Sequence, residues 1–169
     1  TSTGGKGGLI AGLKRVAGGA SIFLTEYLAA GGPGAVTFAT HLPGAILPVP
    51  IAPDRAMIVH RAGWICGTPG VSPTVAFQQS FGGAIFGGEG FILQRLEGQG
   101  QSWIELSGEV TTYQLGSGEV LLAHPGHIGM FDQSVSFTIT TVPGIKNKLC
   151  GGDGIFLVRL TGPGQVWLQ

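Results

Sequence analysis

Short apolar runs, each closed by glycine or proline, predict a chain built from β-strands. The 169 residues include 32 glycines and 10 prolines, and punctuation this dense is typical of an all-β sandwich or barrel. The predicted strands cover residues 22–27, 35–38, 45–51, 56–60, 71–77, 91–96, 101–106, 155–160 and 165–168. The three strands within 45–77 have predicted counterparts 64 residues further along the chain.

Glycine-rich turns join several of these strands. Gly98-Gln99-Gly100 predicts a hairpin between 91–96 and 101–106, since glycine supplies the positive φ of a tight turn. Gly162-Pro163-Gly164 predicts the same for 155–160 and 165–168, as Gly32-Pro33-Gly34 does for 22–27 and 35–38. One short helix is expected at 9–16, where apolar residues recur at helical spacing.

The chain contains an internal duplication. Residues 42–105 align with 106–169 at a constant offset of 64 without a gap, and 16 of the 64 pairs are identical, whereas chance would give roughly five. The matches include glycines at turns and the pairs His60 with His124 and Arg95 with Arg159. A repeat of this length is one supersecondary unit copied.

A third copy is present in part. Residues 18–24 align with 87–93, and Gly32-Pro33-Gly34 aligns with 98–100. We therefore expect one domain over 1–169, with the second half of unit one at 1–41, unit two at 42–105 and unit three at 106–169. The missing first half of unit one would leave strands 22–27 and 35–38 with an open apolar edge, which an additional segment or a second chain would cover.

Composition narrows the classes of function. The nine basic and nine acidic residues give no net charge, which argues against a nucleic-acid partner because phosphates attract a basic surface. With 43% hydrophobic and only 11% charged residues, a protein partner, a homo-oligomer or a peripheral membrane contact is expected. Cys66 and Cys150 face non-equivalent residues of the repeat, and we interpret them as free thiols of a reducing compartment.

His124-Pro125-Gly126-His127 is the tightest candidate for metal binding. The His-x-x-His spacing lacks a nearby carboxylate before Asp132, and unit two has Gly63 opposite His127, so the ligand set is incomplete. We therefore predict no metal and no cofactor. The alternative interpretation is that His60 and His124 end equivalent strands and hydrogen-bond a nearby turn.

Charged residues at repeat positions have structural interpretations. Glu89 and Asp153 are equivalent and are expected to cap exposed N–H groups of glycine loops, not to form a catalytic carboxylate pair. Arg95 and Arg159, with Glu26 at the third position, suggest ion pairs between units. We predict no catalytic residues.

Bulky apolar side chains lie on glycine-rich connections that lack the Gly-Lys-Ser/Thr ending of a phosphate loop. Core packing explains them most simply; the alternative is a partner or membrane contact. The residues concerned are Leu9, Ile10, Ile85, Phe86 and Leu149.

Residues 87–96 and 156–169 resemble signature segments of the altered inheritance of mitochondria protein 24 family, and the resemblance covers essentially the whole chain. It implies a fold similar to the tryptophan RNA-binding attenuation protein, with three short double-stranded β-helix lobes around a pseudo-threefold axis and the first lobe incomplete here. Eukaryotic relatives are mitochondrial and tied to inner-membrane organisation. No catalytic residues follow from the resemblance.

The expected function is that of a non-enzymatic structural or interaction protein, cytoplasmic in a bacterium and mitochondrial in a eukaryote. One alternative is a module that binds a small ligand or RNA, by analogy with the attenuation protein. A β-helix metalloenzyme is the other.

Overall fold

The computed structural model describes residues 24–79, 91–141 and 156–169. The chain has two compact units, Thr1–Ala39 and Thr40–Gln169. In the first unit, residues 24–39 contain no strand, so the strands predicted at 22–27 and 35–38 are wrong where they are described. These segments are apolar, but no described backbone hydrogen-bonds to them, and a strand requires such a partner. Tyr27 and Phe38 instead make an edge-to-face contact with 6.0 Å between ring centroids.

The described part of the second unit is all-β. A single 3-10 turn at Pro125–His127 interrupts it, and no described helix has the length and apolar character needed to span a bilayer. The twelve strands are β1 (Gly44–Ile51), β2 (Met57–His60), β3 (Trp64–Gly67), β4 (Val71–Gln79), β5 (Phe91–Gly98), β6 (Gly100–Ser107), β7 (Thr111–Leu115), β8 (Val120–Ala123), β9 (Ile128–Asp132), β10 (Ser136–Thr141), β11 (Phe156–Thr161) and β12 (Gly164–Leu168).

Every predicted strand of the second unit is present within a few residues of its expected bounds. Two strands were not predicted, β3 and β9. Each is only four or five residues long and includes a glycine, Gly67 or Gly129, which weakens the strand signal.

The strands form three antiparallel sheets. Their orders are β1-β6-β3, β10-β11-β8 and β4-β5-β2-β9-β12-β7. Strands 64 residues apart make the same pairings: β6 lies between β1 and β3 as β12 lies between β7 and β9, and β5 lies between β4 and β2 as β11 lies between β10 and β8. We call β1–β6 the first strand set and β7–β12 the second. The six-stranded sheet joins the two sets through the pairing of β2 with β9.

The predicted hairpins at 98–100 and 162–164 are wrong. The strands are present, but β5 pairs with β2 and β4 while β6 pairs with β1 and β3. The glycine turn therefore carries the chain from one sheet to another. The same holds for β11 and β12, which lie in different sheets.

Two clusters of buried side chains make up the core, and β9 contributes to both. Phe131 belongs to one, with Ile58, Val158 and Leu160. Met130 belongs to the other, where it packs with residues of the first strand set that include Val49, Met57, Val59 and Ile104. Because side chains of a strand alternate between its faces, one strand of the second set completes two hydrophobic layers.

Candidate functional site

Strands β2 and β8 occupy equivalent positions but have different surroundings. The outer edge of β2 pairs with β9, whereas β8 pairs only with β11 among the described strands. Ile58 of β2 is 9% exposed, but its equivalent in β8, Leu122, is 54% exposed. Val120 of β8 is also exposed. The second strand set thus presents an apolar strand edge that its equivalent in the first set buries.

A depression of about 320 Å³ lies beside β8. Its wall includes Tyr113 of β7, Leu122 of β8 and Leu168 of β12. The equivalent positions of the first set, Val49, Ile58 and Ile104, are buried in the core. Met130 and Leu106 belong to the same cluster as Val49 and Ile104. The depression is therefore the counterpart of a core region that side chains of the second set fill.

The predicted histidine cluster lies at one end of this depression. The rings of His124 and His127 are 5.7 Å apart between centroids. His124 Nδ1 accepts a hydrogen bond of 3.2 Å from the backbone N–H of Gly126, and His127 donates its Nδ1–H to the carbonyl oxygen of Gln169 at 2.9 Å. In the described residues no three His, Cys, Asp or Glu side chains converge as metal ligands. Asp132, the nearest acid, accepts the N–H of Gln165 at 2.8 Å.

In the first strand set the equivalent region is buried and contains a histidine and a glutamate. His60 donates Nε2–H to the carbonyl oxygen of Glu105 at 3.3 Å. The Glu105 carboxylate accepts the N–H groups of His41 and Leu42 at 2.9 and 3.3 Å. Burial lowers the pKa of His60, and the hydrogen bond to Glu105 and its negative charge offset part of this effect.

Glu105 was not singled out by sequence reasoning. Its repeat equivalent, Gln169, accepts the N–H of Ser107 through Oε1 at 2.9 Å. In each set the side chain that follows the last paired strand therefore holds the backbone where that set begins. The signal lay in the final pair of the alignment, where Glu and Gln share an acceptor oxygen.

We expect His60 to make the unfolding free energy fall in acid. Because its pKa in the folded protein is lower than its usual value of 6.5, the unfolded chain binds the proton first as pH falls. The contribution of His60 is complete above pH 6.5 and is lost as pH falls through the folded pKa. Urea unfolding of wild type and His60→Gln at several pH values from 8 to 5 measures the difference.

The matched control for this experiment is His124→Gln, at the equivalent but exposed position. We expect it to leave the pH dependence of stability as in wild type. A wild-type profile that His60→Gln does not flatten would contradict the assignment.

Other predicted residues are placed as follows. Arg95 pairs with Glu97 of its own strand, with Nε and Oε2 3.1 Å apart, so the predicted ion pair between units is wrong for Arg95. Its contact with the second set is a hydrogen bond of 2.7 Å to the neutral amide of Gln133. Arg159 is exposed on β11. Cys66 is a free, partly buried thiol whose pKa is raised by burial.

Several predicted residues lie outside the described residues. They are the helix at 9–16, the apolar contact residues Leu9, Ile10, Ile85, Phe86 and Leu149, the carboxylates Glu89 and Asp153, and Cys150. Their interpretation as contact, capping or thiol positions stays a prediction.

Fold and site together define an all-β protein of antiparallel sheets in which two strand sets are joined edge to edge. A family model described as "Mitochondrial biogenesis AIM24" matches residues 1–169. The chain belongs to this family, as its resemblance predicted. No curated protein matches the chain.

The chain is also similar to a solved structure, the X-ray crystal structure of protein SPYM3_0169 from Streptococcus pyogenes. The two share 16% sequence identity with a TM-score of 0.60, over 76% of this chain and 55% of that one. At this identity the likeness supports the fold alone. The chain spans about half the length of that protein.

Proposed function

We propose that this protein is a non-enzymatic interaction protein that assembles through its strand edges. The observation that carries the proposal is the contrast between β2 and β8. An apolar edge that is covered in the first strand set is open in the second. Exposed strand edges invite pairing with another chain, and natural proteins usually cover or charge them.

The repeated pairings support a more specific arrangement. Each strand set would be a short double-stranded β-helix lobe, and three such lobes would surround a pseudo-threefold axis as in the tryptophan RNA-binding attenuation protein. The pairing of β2 with β9 would be one of three equivalent contacts between lobes. The cellular site would be the cytoplasm of a bacterium, or the mitochondrion of a eukaryote, where the family name places its role.

The chemistry of the depression favours a protein partner. Of the residues that line it in the described part of the chain, none is Lys or Arg, and Glu109 is acidic. An RNA backbone would require positive charge, whereas Tyr113, Leu122 and Leu168 offer apolar area. Partly exposed apolar side chains around a depression are typical of a protein-binding surface.

Site-specific photo-crosslinking in the native organism tests the proposal. A photoreactive amino acid replaces Leu122 on β8, and a control variant carries it at Thr138, exposed on β10 at the opposite edge of the same sheet. We expect a defined protein adduct from position 122 and none from position 138. No adduct at 122, or equal adducts at both positions, would contradict an interaction surface at β8.

A further inference from the structure

The contact between the two strand sets gives a template for what β8 binds. Strands β2 and β9 pair antiparallel, with Met57 opposite Asp132, Ile58 opposite Phe131 and Val59 opposite Met130. Phe131 and Met130 are both buried, one in each core cluster. The template therefore combines a backbone ladder with two consecutive large apolar side chains, one on each face.

The same positions on β8 follow from the offset of 64. Leu121, Leu122 and Ala123 replace Met57, Ile58 and Val59. Ala123 is smaller than Val59 and lies beside the 320 Å³ depression, so the site has room for a large side chain opposite it. Leu122 is exposed on the other face, where a second apolar residue would cover it.

We infer that β8 binds an extended apolar segment of β9 type as an added antiparallel strand, in the register of the β2–β9 contact. A methionine-sized residue lies opposite Ala123 and inserts into the depression, and an aromatic residue lies opposite Leu122. Backbone hydrogen bonds give such a complex its alignment, and alternate side chains give it specificity. This inference rests on the proposed function and specifies its partner.

A second copy of this chain is a poorer occupant. The strand of the first set that corresponds to β9 is β3, and it carries Cys66 and Gly67 where β9 carries Met130 and Phe131. These small residues would leave the depression unfilled and Leu122 uncovered. The favoured occupant therefore has the side chains of β9 itself.

A register test uses the full chain with Cys66→Ser and Cys150→Ser and a synthetic peptide of residues 126–134. Ala123→Cys is mixed with the peptide carrying Met130→Cys, and Leu122→Cys with the peptide carrying Phe131→Cys, in oxidised glutathione. We expect each matched pair to form the mixed disulfide roughly tenfold faster than the crossed pairs, because a shift of one residue places the thiols on opposite faces. Equal rates in matched and crossed pairs would overturn the register.

A second measurement avoids the cysteine variants. The wild-type peptide should slow hydrogen exchange of the β8 amides in the wild-type chain, and a peptide with Met130→Asp should not. No protection would overturn the inference. So would a concentration-dependent dimer, seen by sedimentation, that Leu122→Lys converts to monomer while the peptide fails to bind, since β8 would then bind a second copy. Photo-crosslinks at position 122 together with either failure would leave the interaction function standing and reject strand addition.

Discussion

Replacing Phe131 by alanine is expected to lower the unfolding free energy of the Thr40–Gln169 unit by about 3–5 kcal/mol. Phe131 is 2% exposed, and its ring stacks on Phe137 at 6.1 Å between centroids with only 5° between the planes. It lies opposite Ile58 of the first strand set and Val166 of the second. The cavity would therefore open where the two sets join, and neighbouring β-strands cannot collapse to fill it without breaking their ladders.

The measurement is urea unfolding followed by tryptophan fluorescence, with a matched pair of controls from the repeat. Ile58→Ala, at the position opposite Phe131, should cost about 2–5 kcal/mol because it opens the same cavity from the other side. Leu122→Ala, at the equivalent exposed position, should stay within about 0.5 kcal/mol of wild type. If Ile58→Ala and Leu122→Ala had equal effects, the contrast between β2 and β8 would be wrong.

The individual strands were predictable because the information for them is local. In β1, Val49 and Ile51 are buried while the prolines beside them are exposed, which is the alternation expected of a strand with one face on the core. A proline lacks the N–H of a ladder, and its exposure at an edge strand agrees with the sheet order. The repeat then transfers each strand to its equivalent 64 residues later.

The environment of each strand was not predictable from the repeat. Ile58 and Leu122 are equivalent in sequence, yet one is covered by β9 and the other is open. His60 and His124 differ in burial for the same reason. The sequence shows which residues correspond, but burial depends on which neighbouring strand pairs with the outer edge. The alignment therefore led to the histidine cluster beside the depression and missed the open edge of β8.

The hairpin prediction failed because a glycine turn specifies backbone conformation and not the partner of each strand. Gly98 does adopt a left-handed φ of +109°. However, the turn packs on the loop at Gly70, whose carbonyl oxygen accepts the N–H of Gln99 at 3.0 Å. This non-local contact directs β6 into another sheet, and nothing in residues 98–100 alone indicates it.

Gly98→Ala is expected to lower the unfolding free energy by about 2–4 kcal/mol, the sum of a left-handed backbone and a steric clash. A Cβ at position 98 would collide with the carbonyl oxygen of Gly70, the same atom that accepts the N–H of Gln99. The change therefore strains the turn and displaces the contact that separates β5 from β6. Gly108→Ala is the matched control, since Gly108 has a φ of +68° and no atom lies within 4 Å of the point that its new methyl group would occupy, so only the backbone cost of about 1–2 kcal/mol applies. Urea midpoints of the two variants measure the difference; equal losses would mean that the Gly70 contact does not hold the crossover, because left-handed geometry alone would then account for both.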